Sequence, residues 1–135
     1  MRLPAVVPLA AIVSVALAAC GSGGRFVAAT PPANPVNLAV YINNSRVLLS
    51  PARLGAGPVL LLVTNQASRS ETLTVHPSRG GTVASTGPIN PDSTAQVQVD
   101  LTTPGDYALR AGRASPARLR IGAPRAAASG ALLQP

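Results

Sequence analysis

The sequence predicts an all-β fold, a small antiparallel β-sandwich with Greek-key connections. Short runs in which apolar and polar residues alternate recur between Asn37 and Gly122, and a period of two is typical of strands with one buried face. The chain has 14 Pro and 12 Gly, and many of them separate these runs. No stretch carries an apolar stripe at helical spacing over a useful length, so the runs predict two packed sheets.

The first three predicted strands lie in the first half of the chain. In the first strand, the apolar residues Leu38, Val40 and Ile42 occupy alternate positions. The second strand is the short apolar run at 46–49, which precedes a stretch rich in Gly and Pro. The third, VLLLV at 59–63, is apolar throughout, which predicts a strand buried on both faces.

Four more predicted strands alternate in the same way. The fourth lies at 73–75, where Leu and Val alternate with Thr, and the fifth at 97–101, where Val and Leu alternate with Gln and Asp. The sixth, at 107–109, follows a Pro-Gly-Asp turn, and the seventh, at 119–121, has Arg on its polar phase. Because aromatic residues make up only 2% of the chain, the core must rest on Val, Leu and Ile.

The composition excludes several classes of site. The chain of 135 residues has 11 basic residues, all of them Arg, against 4 acidic ones, and one each of Cys, His and Met. One Cys allows neither an internal disulfide nor a Cys-based zinc site. One His and four acids leave little material for a catalytic centre, so we expect no enzymatic activity. The absence of Lys is typical of a GC-rich genome such as that of an actinobacterium. The use of Arg in place of Lys is therefore weak evidence about function.

The amino terminus has the pattern of an export signal. Arg2 precedes an apolar stretch at 3–17 that is too short, and too interrupted by proline, for a transmembrane span. The stretch ends in a run of four residues, Leu17, Ala18, Ala19 and Cys20, which precedes a Gly/Ser tract. This run resembles the lipobox of bacterial lipoproteins.

The lipobox resemblance implies how the chain is processed and where it is held. The lipoprotein signal peptidase would recognise Leu17, Ala18 and Ala19 and cleave before Cys20, whose thiol would carry a thioether-linked diacylglyceryl group. The mature chain would then be anchored to the cell membrane on its extracytoplasmic face, with this lipid as its only added group. The alternative is an ordinary secretory signal in which Cys20 follows the cleavage site by chance.

The chain therefore divides into four predicted segments. They are a lipoprotein signal peptide at 1–19, the lipidated Cys and a flexible tether at 20–36, a β-sandwich domain at 37–122 and a disordered Ala/Pro-rich tail at 123–135.

Turn motifs in the domain resemble those of cupredoxins. The segment 49–59, LSPARLGAGPV, is similar to the family's Pro-bearing strand, turn and buried strand, and it leads to Asn65, where cupredoxins often carry Asn. The loops at 89–95, INPDSTA, and 104–107, PGDY, are also similar to the family's turns. The resemblance implies a cupredoxin-like sandwich. Immunoglobulin-like sandwiches share this turn chemistry and remain the alternative.

The copper ligands of that family do not carry over. A type 1 copper site needs two His, a Cys and usually a weak axial Met. The resemblance would place the first His near Glu71, and the other ligands in 109–118, where none of these residue types occurs. His76 is a single candidate, interpreted here as a solvated residue at a strand end, and Glu71 as a solvent-facing charge on an edge. We therefore expect no metal.

Arginines near the end of the domain are the remaining candidate site. Arg118 and Arg120 project from one face of their strand, with Arg110 on the neighbouring strand, while Arg113 and Arg125 lie nearby in the sequence. Arg suits phosphate through its planar fork. We expect contact with anionic lipid or an envelope polymer, or with an envelope protein, and no nucleic acid, because the chain lacks an aromatic stacking platform. The alternative is a basic face that is merely solvated.

Two functional classes follow from these observations. The first is a membrane-anchored extracytoplasmic lipoprotein that acts as a non-catalytic binding or interaction module. The second is a metal-handling or enzyme-accessory relative of cupredoxins in the cell envelope.

Overall fold

The computed structural model describes residues 31–127, and all regular structure in this range is β. The eight strands are β1 (Val36–Ile42), β2 (Val47–Ser50), β3 (Arg53–Asn65), β4 (Glu71–Pro77), β5 (Ala84–Ile89), β6 (Ser93–Leu101), β7 (Gly105–Ala111) and β8 (Ala117–Pro124). The predicted all-β fold class is confirmed. No helix among the described residues has the length and apolarity needed to cross a membrane.

The strands form two layers that share β3. The first sheet has the order β2-β1-β3-β6, and the second has the order β3-β8-β7-β4-β5. The first residues of β3, from Arg53 to Ala56, pair with β8, and the rest of β3 pairs with β1 and β6. The register shifts between Gly55 and Ala56, where the strand passes from one sheet to the other. Gly57 then adopts a φ of 141°, which favours glycine.

The core lies between the two sheets and is built from alternate residues of each strand. Leu38, Leu61, Leu109 and Leu119 are among its fully buried side chains, and Tyr107 is its only aromatic residue in the described range. Val, Leu and Ile therefore fill most of the core, as the composition predicts.

Only one face of the VLLLV segment is buried, so the predicted burial on both faces is wrong. Val59, Leu61 and Val63 lie in the core, whereas Leu60 and Leu62 are half-buried on the outer face of the first sheet. The apolar run was misleading because the second sheet covers only the inner face, and no described strand packs on the outer one.

The strand inventory differs from the prediction in three respects. β5 was not predicted, because its Gly87-Pro88 pair interrupts the alternation. β3 begins at Arg53, so its Gly-rich segment is part of a long strand and not a turn. Two of the seven strand pairings in the described chain, β1 with β3 and β3 with β8, are parallel, so the sandwich is not purely antiparallel.

The regular structure extends slightly beyond 37–122. β1 begins at Val36, β8 ends at Pro124, and the N–H of Arg125 donates to the carbonyl oxygen of Ala56 at 2.9 Å. The predicted signal peptide, Cys20, most of the predicted tether and the end of the predicted tail lie outside the described residues.

The sandwich has two ends, and the described chain enters at one of them. We call the end formed by Ile42, Asn65 and Ala111 the upper end, and the end formed by Pro77 and Leu101 the lower end. The described chain enters at the lower end. There the residues before β1 line a groove together with residues of β3 and β6: Pro32, Ala33, Pro35, Pro58, Gln98, Asp100 and Thr102.

Tyr107 closes the lower end with a hydrogen bond. Its hydroxyl donates to the carbonyl oxygen of Thr103 at 2.9 Å, four residues upstream, while its ring is buried in the core. Tyr107→Phe should lower the unfolding free energy by about 1 kcal/mol, because the carbonyl loses its donor. Chemical denaturation measures this, and Tyr41→Phe is the matched control because Tyr41 is 42% exposed. Equal stability of the two variants would contradict the role given to this bond.

Candidate functional site

Four arginines share the outer face of the second sheet. Arg118 and Arg120 alternate with buried Leu119 and Ile121 on β8, and Arg110 occupies the outward phase of β7. Arg53, on β3, is the direct neighbour of Arg120. All four are exposed. We call this set (Arg53, Arg110, Arg118 and Arg120) the basic face.

The basic face contains one acidic residue, Asp106. Asp106 is the direct neighbour of Arg120 across β7 and β8, and their side chains form an ion pair with an Nη1–Oδ1 distance of 3.2 Å. In the described chain, Arg110, Arg118 and Arg53 form no ion pair. The face thus has four cations and one anion, and three of its cations remain available to an external anion.

Charge is segregated between the two faces of the sandwich. On the outer face of the first sheet, none of the outward strand side chains is basic and only Asp100 is acidic. The others are apolar or neutral, and they include Tyr41, Leu48 and Leu62. A preference for Arg over Lys decides which cation occurs and not where it lies, so it does not account for this distribution.

A notch lies in the middle of the basic face. His76, Ala108 and Arg118 are direct neighbours across β4, β7 and β8, and the short side chain of Ala108 leaves a gap between the longer two. The groove at this point has a volume of about 320 Å³. It is lined by His76, Pro77, Ser78, Asp106, Tyr107, Ala108, Arg110 and Arg118.

His76 lies one residue before the end of β4, as the sequence suggested, but it is not solvated. It is half-buried, and its Nε2 lies 3.0 Å from the Thr74 hydroxyl, while its Nδ1 lies 3.4 Å from the Thr82 hydroxyl. Both ring nitrogens are therefore engaged with hydroxyl groups, which fixes the ring as one wall of the notch.

Arg113 and Arg125 do not join the basic face. Arg113 lies in the turn between β7 and β8 at the upper end. Arg125 packs along Gly55 and Gly57, where an added Cβ would meet its side chain, and its Nη2 donates to the carbonyl oxygen of Pro58. Its Nε and Nη1 are buried and have no partner among the described residues.

The upper end is organised around two polar side chains, Asn65 and Glu71. Asn65 is fully buried, and its Nδ2 donates to the carbonyl oxygens of Arg69 and Ile89, both at 2.8 Å. Its Oδ1 accepts from the N–H of Ala67 at 2.9 Å. One side chain thus joins the end of β3, the following loop and the end of β5.

Glu71 is not on an edge, in contrast to the interpretation from the sequence. β5 and β7 flank β4 on both sides, and the Glu71 side chain is only 12% exposed. Its carboxylate lies against Gly112, so closely that a Cβ there would collide with it, and its Oε1 is 3.7 Å from Nε of Arg69. Gly112 has a φ of 47°, a second reason for glycine at this position.

Comparison with known proteins identifies the fold. No family model and no curated protein matches the chain. Among solved structures, auracyanin A, a blue copper protein from Chloroflexus aurantiacus, gives a TM-score of 0.50 at 13% identity over 66% of this chain and 100% of its own. Reduced auracyanin from Roseiflexus castenholzii gives 0.50 at 8% identity over 67% of this chain and 98% of its own. The fold is cupredoxin-like.

A larger protein shows the same likeness. Lac15 from a marine microbial metagenome gives a TM-score of 0.51 at 18% identity over 73% of this chain, which corresponds to 36% of Lac15. The immunoglobulin-like alternative is thereby set aside in favour of a cupredoxin-like sandwich.

The residues of this cupredoxin-like domain do not fit a type 1 copper centre. Where the family resemblance would place the ligands, the upper end presents Glu71 and the turn at 112–116, which contains Gly, Arg, Ala, Ser and Pro. His76 lies five residues along β4 from Glu71, about 17 Å away. Within 31–127, no three His, Cys, Asp or Glu side chains come together in a group that could hold a metal. The thiolate and imidazole ligands that copper requires are thus not supplied there.

Sequence reasoning placed three of the four basic-face residues and missed Arg53, and it also missed Ala108 of the notch. The alternation on β8 and the neighbouring β7 brings Arg110, Arg118 and Arg120 to one side. Arg53 was missed because its pairing with β8 is parallel and links distant parts of the chain. Ala108 was missed because a small residue indicates a gap only when the longer side chains on the neighbouring strands, here His76 and Arg118, are known.

Proposed function

We propose that this chain is a membrane-anchored extracytoplasmic lipoprotein, and that its cupredoxin-like domain is a non-catalytic interaction module. The anchor is the diacylglyceryl group on Cys20, and the working surface is the basic face, which binds an anionic surface of the cell envelope. The observation that carries the proposal is the segregation of charge among the described strands, with four arginines on the outer face of one sheet and none on that of the other.

The strength of such a contact follows from general electrostatics. Each Arg close to an anionic membrane contributes about 1 kcal/mol, and the contribution falls off within a Debye length of roughly 10 Å. Three or four arginines on one face therefore orient a domain. They do not attach it stably to the membrane; in this proposal the lipid anchor does.

The position of the chain entry is compatible with this arrangement. The described chain enters at the lower end, and the sixteen residues from Gly21 to Val36 span up to ~50 Å when extended. A domain on such a tether can turn its basic face toward the anionic surface to which it is attached, or toward a neighbouring polymer.

Vesicle binding tests the proposal. The lipid-free mature chain, residues 20–135 with Cys20→Ser, should sediment with vesicles that contain phosphatidylglycerol and not with vesicles of phosphatidylcholine alone. Binding should weaken as the salt concentration rises from 20 to about 500 mM, because salt screens exposed charges. Equal recovery with both kinds of vesicle would contradict the proposal.

The second candidate is a metal-handling or enzyme-accessory role in the envelope. The likeness in fold to auracyanin A, a blue copper protein, favours it. The upper end argues against it, because Glu71 and the turn at 112–116 stand where the resemblance would place imidazole and thiolate ligands.

Copper titration separates the two candidates. The lipid-free mature chain should take up no stoichiometric, tightly bound copper and develop no blue absorbance, as measured by isothermal calorimetry and visible spectroscopy. Tight uptake of one copper per chain would favour the metal-handling role instead.

A further inference from the structure

The notch over Ala108 has the geometry of a discrete site on the otherwise open basic face. Adjacent strands are spaced by about 4.8 Å, so the Cα atoms of His76 and Arg118 lie about 10 Å apart with Ala108 between them. Arg110 lies two residues along β7 from Ala108, on the same face and about 7 Å away. Two guanidinium groups thus flank a floor made by a single methyl group.

Neither of the two cations beside the notch has an acidic partner in the described chain. Asp106 is engaged by Arg120, which leaves Arg110 and Arg118 without an ion pair among the described residues. The planar fork of Arg donates two parallel hydrogen bonds to the oxygens of an anion. Arg118 lies across the strands from Ala108 and Arg110 lies along β7 from it, so donors on two sides of the notch can reach the oxygens of one tetrahedral phosphate.

The opposite wall restricts the shape of the ligand. The ring of His76 is held between Thr74 and Thr82, and Pro77 and Ser78 continue the wall toward the lower end. The groove of about 320 Å³ is larger than one phosphate group requires, so it leaves room for the atoms attached to that phosphate.

We propose that this notch binds a phosphodiester group. This proposal rests on the proposed function and deepens it, since it assigns the anionic chemistry that the basic face recognises and the residues that recognise it: Arg110 and Arg118 as donors, Ala108 as the floor and His76 as the wall. A phospholipid headgroup and a poly(glycerol phosphate) polymer both present this group.

Ala108→Val tests the notch without changing any charge. Valine suits a strand and fills the gap above the floor, so the variant should fold normally while an anion is kept away from the two arginines. We expect at least fivefold weaker binding of the lipid-free mature chain to phosphatidylglycerol vesicles, to soluble poly(glycerol phosphate), or to both; the probe that is affected identifies the source. Ala39→Val is the matched control, since Ala39 is equally half-buried on the outer face of the first sheet.

A small phosphodiester locates the site directly. Diethyl phosphate added to the isotopically labelled wild-type chain should shift the amide resonances of Ala108 and Arg118 saturably, and sodium acetate at the same concentration should not. Absence of a saturable shift would contradict a phosphodiester site in the notch, and so would binding of both probes by Ala108→Val with wild-type affinity.

A triple variant, in which Arg110, Arg118 and Arg120 are replaced by Gln, separates this proposal from the proposed function. If Ala108→Val binds normally and the triple variant does not, the basic face binds anions but the notch is not the site. If neither variant loses binding, both proposals fall.

Discussion

Asn65→Ala is expected to lower the unfolding free energy by about 3 kcal/mol. The substitution removes two donors and one acceptor at a fully buried position, so the carbonyl oxygens of Arg69 and Ile89 and the N–H of Ala67 lose their partners. Each buried polar group left without a hydrogen bond costs about 1 kcal/mol or more. Urea denaturation followed by far-ultraviolet circular dichroism measures the change.

The matched control for this substitution is Asn37→Ala. Asn37 is exposed on β1 and its side chain forms no hydrogen bond among the described residues, so its loss should change stability by less than about 0.5 kcal/mol. If Asn65→Ala were as stable as Asn37→Ala, Asn65 would not be the residue that joins β3, its loop and β5.

Cys20→Ser is expected to abolish anchoring through lipid. The thiolate is the only group in this part of the chain that can accept a diacylglyceryl group, and serine cannot form the thioether. Each methylene buried in the bilayer contributes about 0.8 kcal/mol, so the two acyl chains of the proposed anchor would hold the wild-type chain stably, and without them that anchorage would be lost. The variant should remain as uncleaved precursor or be released from the cell.

Fractionation of the native host and mass spectrometry of the intact chain measure this effect. The wild-type chain should begin at Cys20 and carry the mass of a diacylglyceryl group, while Ser22→Ala, two residues beyond, should be processed as the wild type is. A wild-type chain that carries an unlipidated Cys20 would contradict the anchor and leave an ordinary secretory signal as the explanation.

Local patterns predicted those features that depend on neighbours in the sequence. Apolar and polar residues alternate on β7 and β8 with a period of two. This pattern alone predicts that Arg110, Arg118 and Arg120 lie on the outer side of their strands. The turn residues before Tyr107 similarly indicated a cupredoxin-like sandwich, which the comparison of structures supports.

Features that depend on the pairing of distant strands could not be predicted from local sequence patterns. Arg53 reaches the basic face through a parallel pairing of β3 with β8, which no alternation reveals. Glu71 is shielded because β5 covers the side of β4, and β5 was hidden by its Gly87-Pro88 pair. The half-buried Leu60 and Leu62 show that an apolar run does not tell whether one or two layers will cover a strand.

The comparison of two triple variants tests the central claim, that this cupredoxin-like domain acts through its basic face. The first variant replaces Arg110, Arg118 and Arg120 by Gln. The second removes the same charge from the upper end, at Arg46, Arg69 and Arg113. At about 1 kcal/mol per Arg, the first should bind phosphatidylglycerol vesicles ~100-fold more weakly than the wild-type lipid-free chain at low salt, and the second less than tenfold more weakly. Equal losses in the two variants would show that net charge alone determines binding and would contradict a dedicated face.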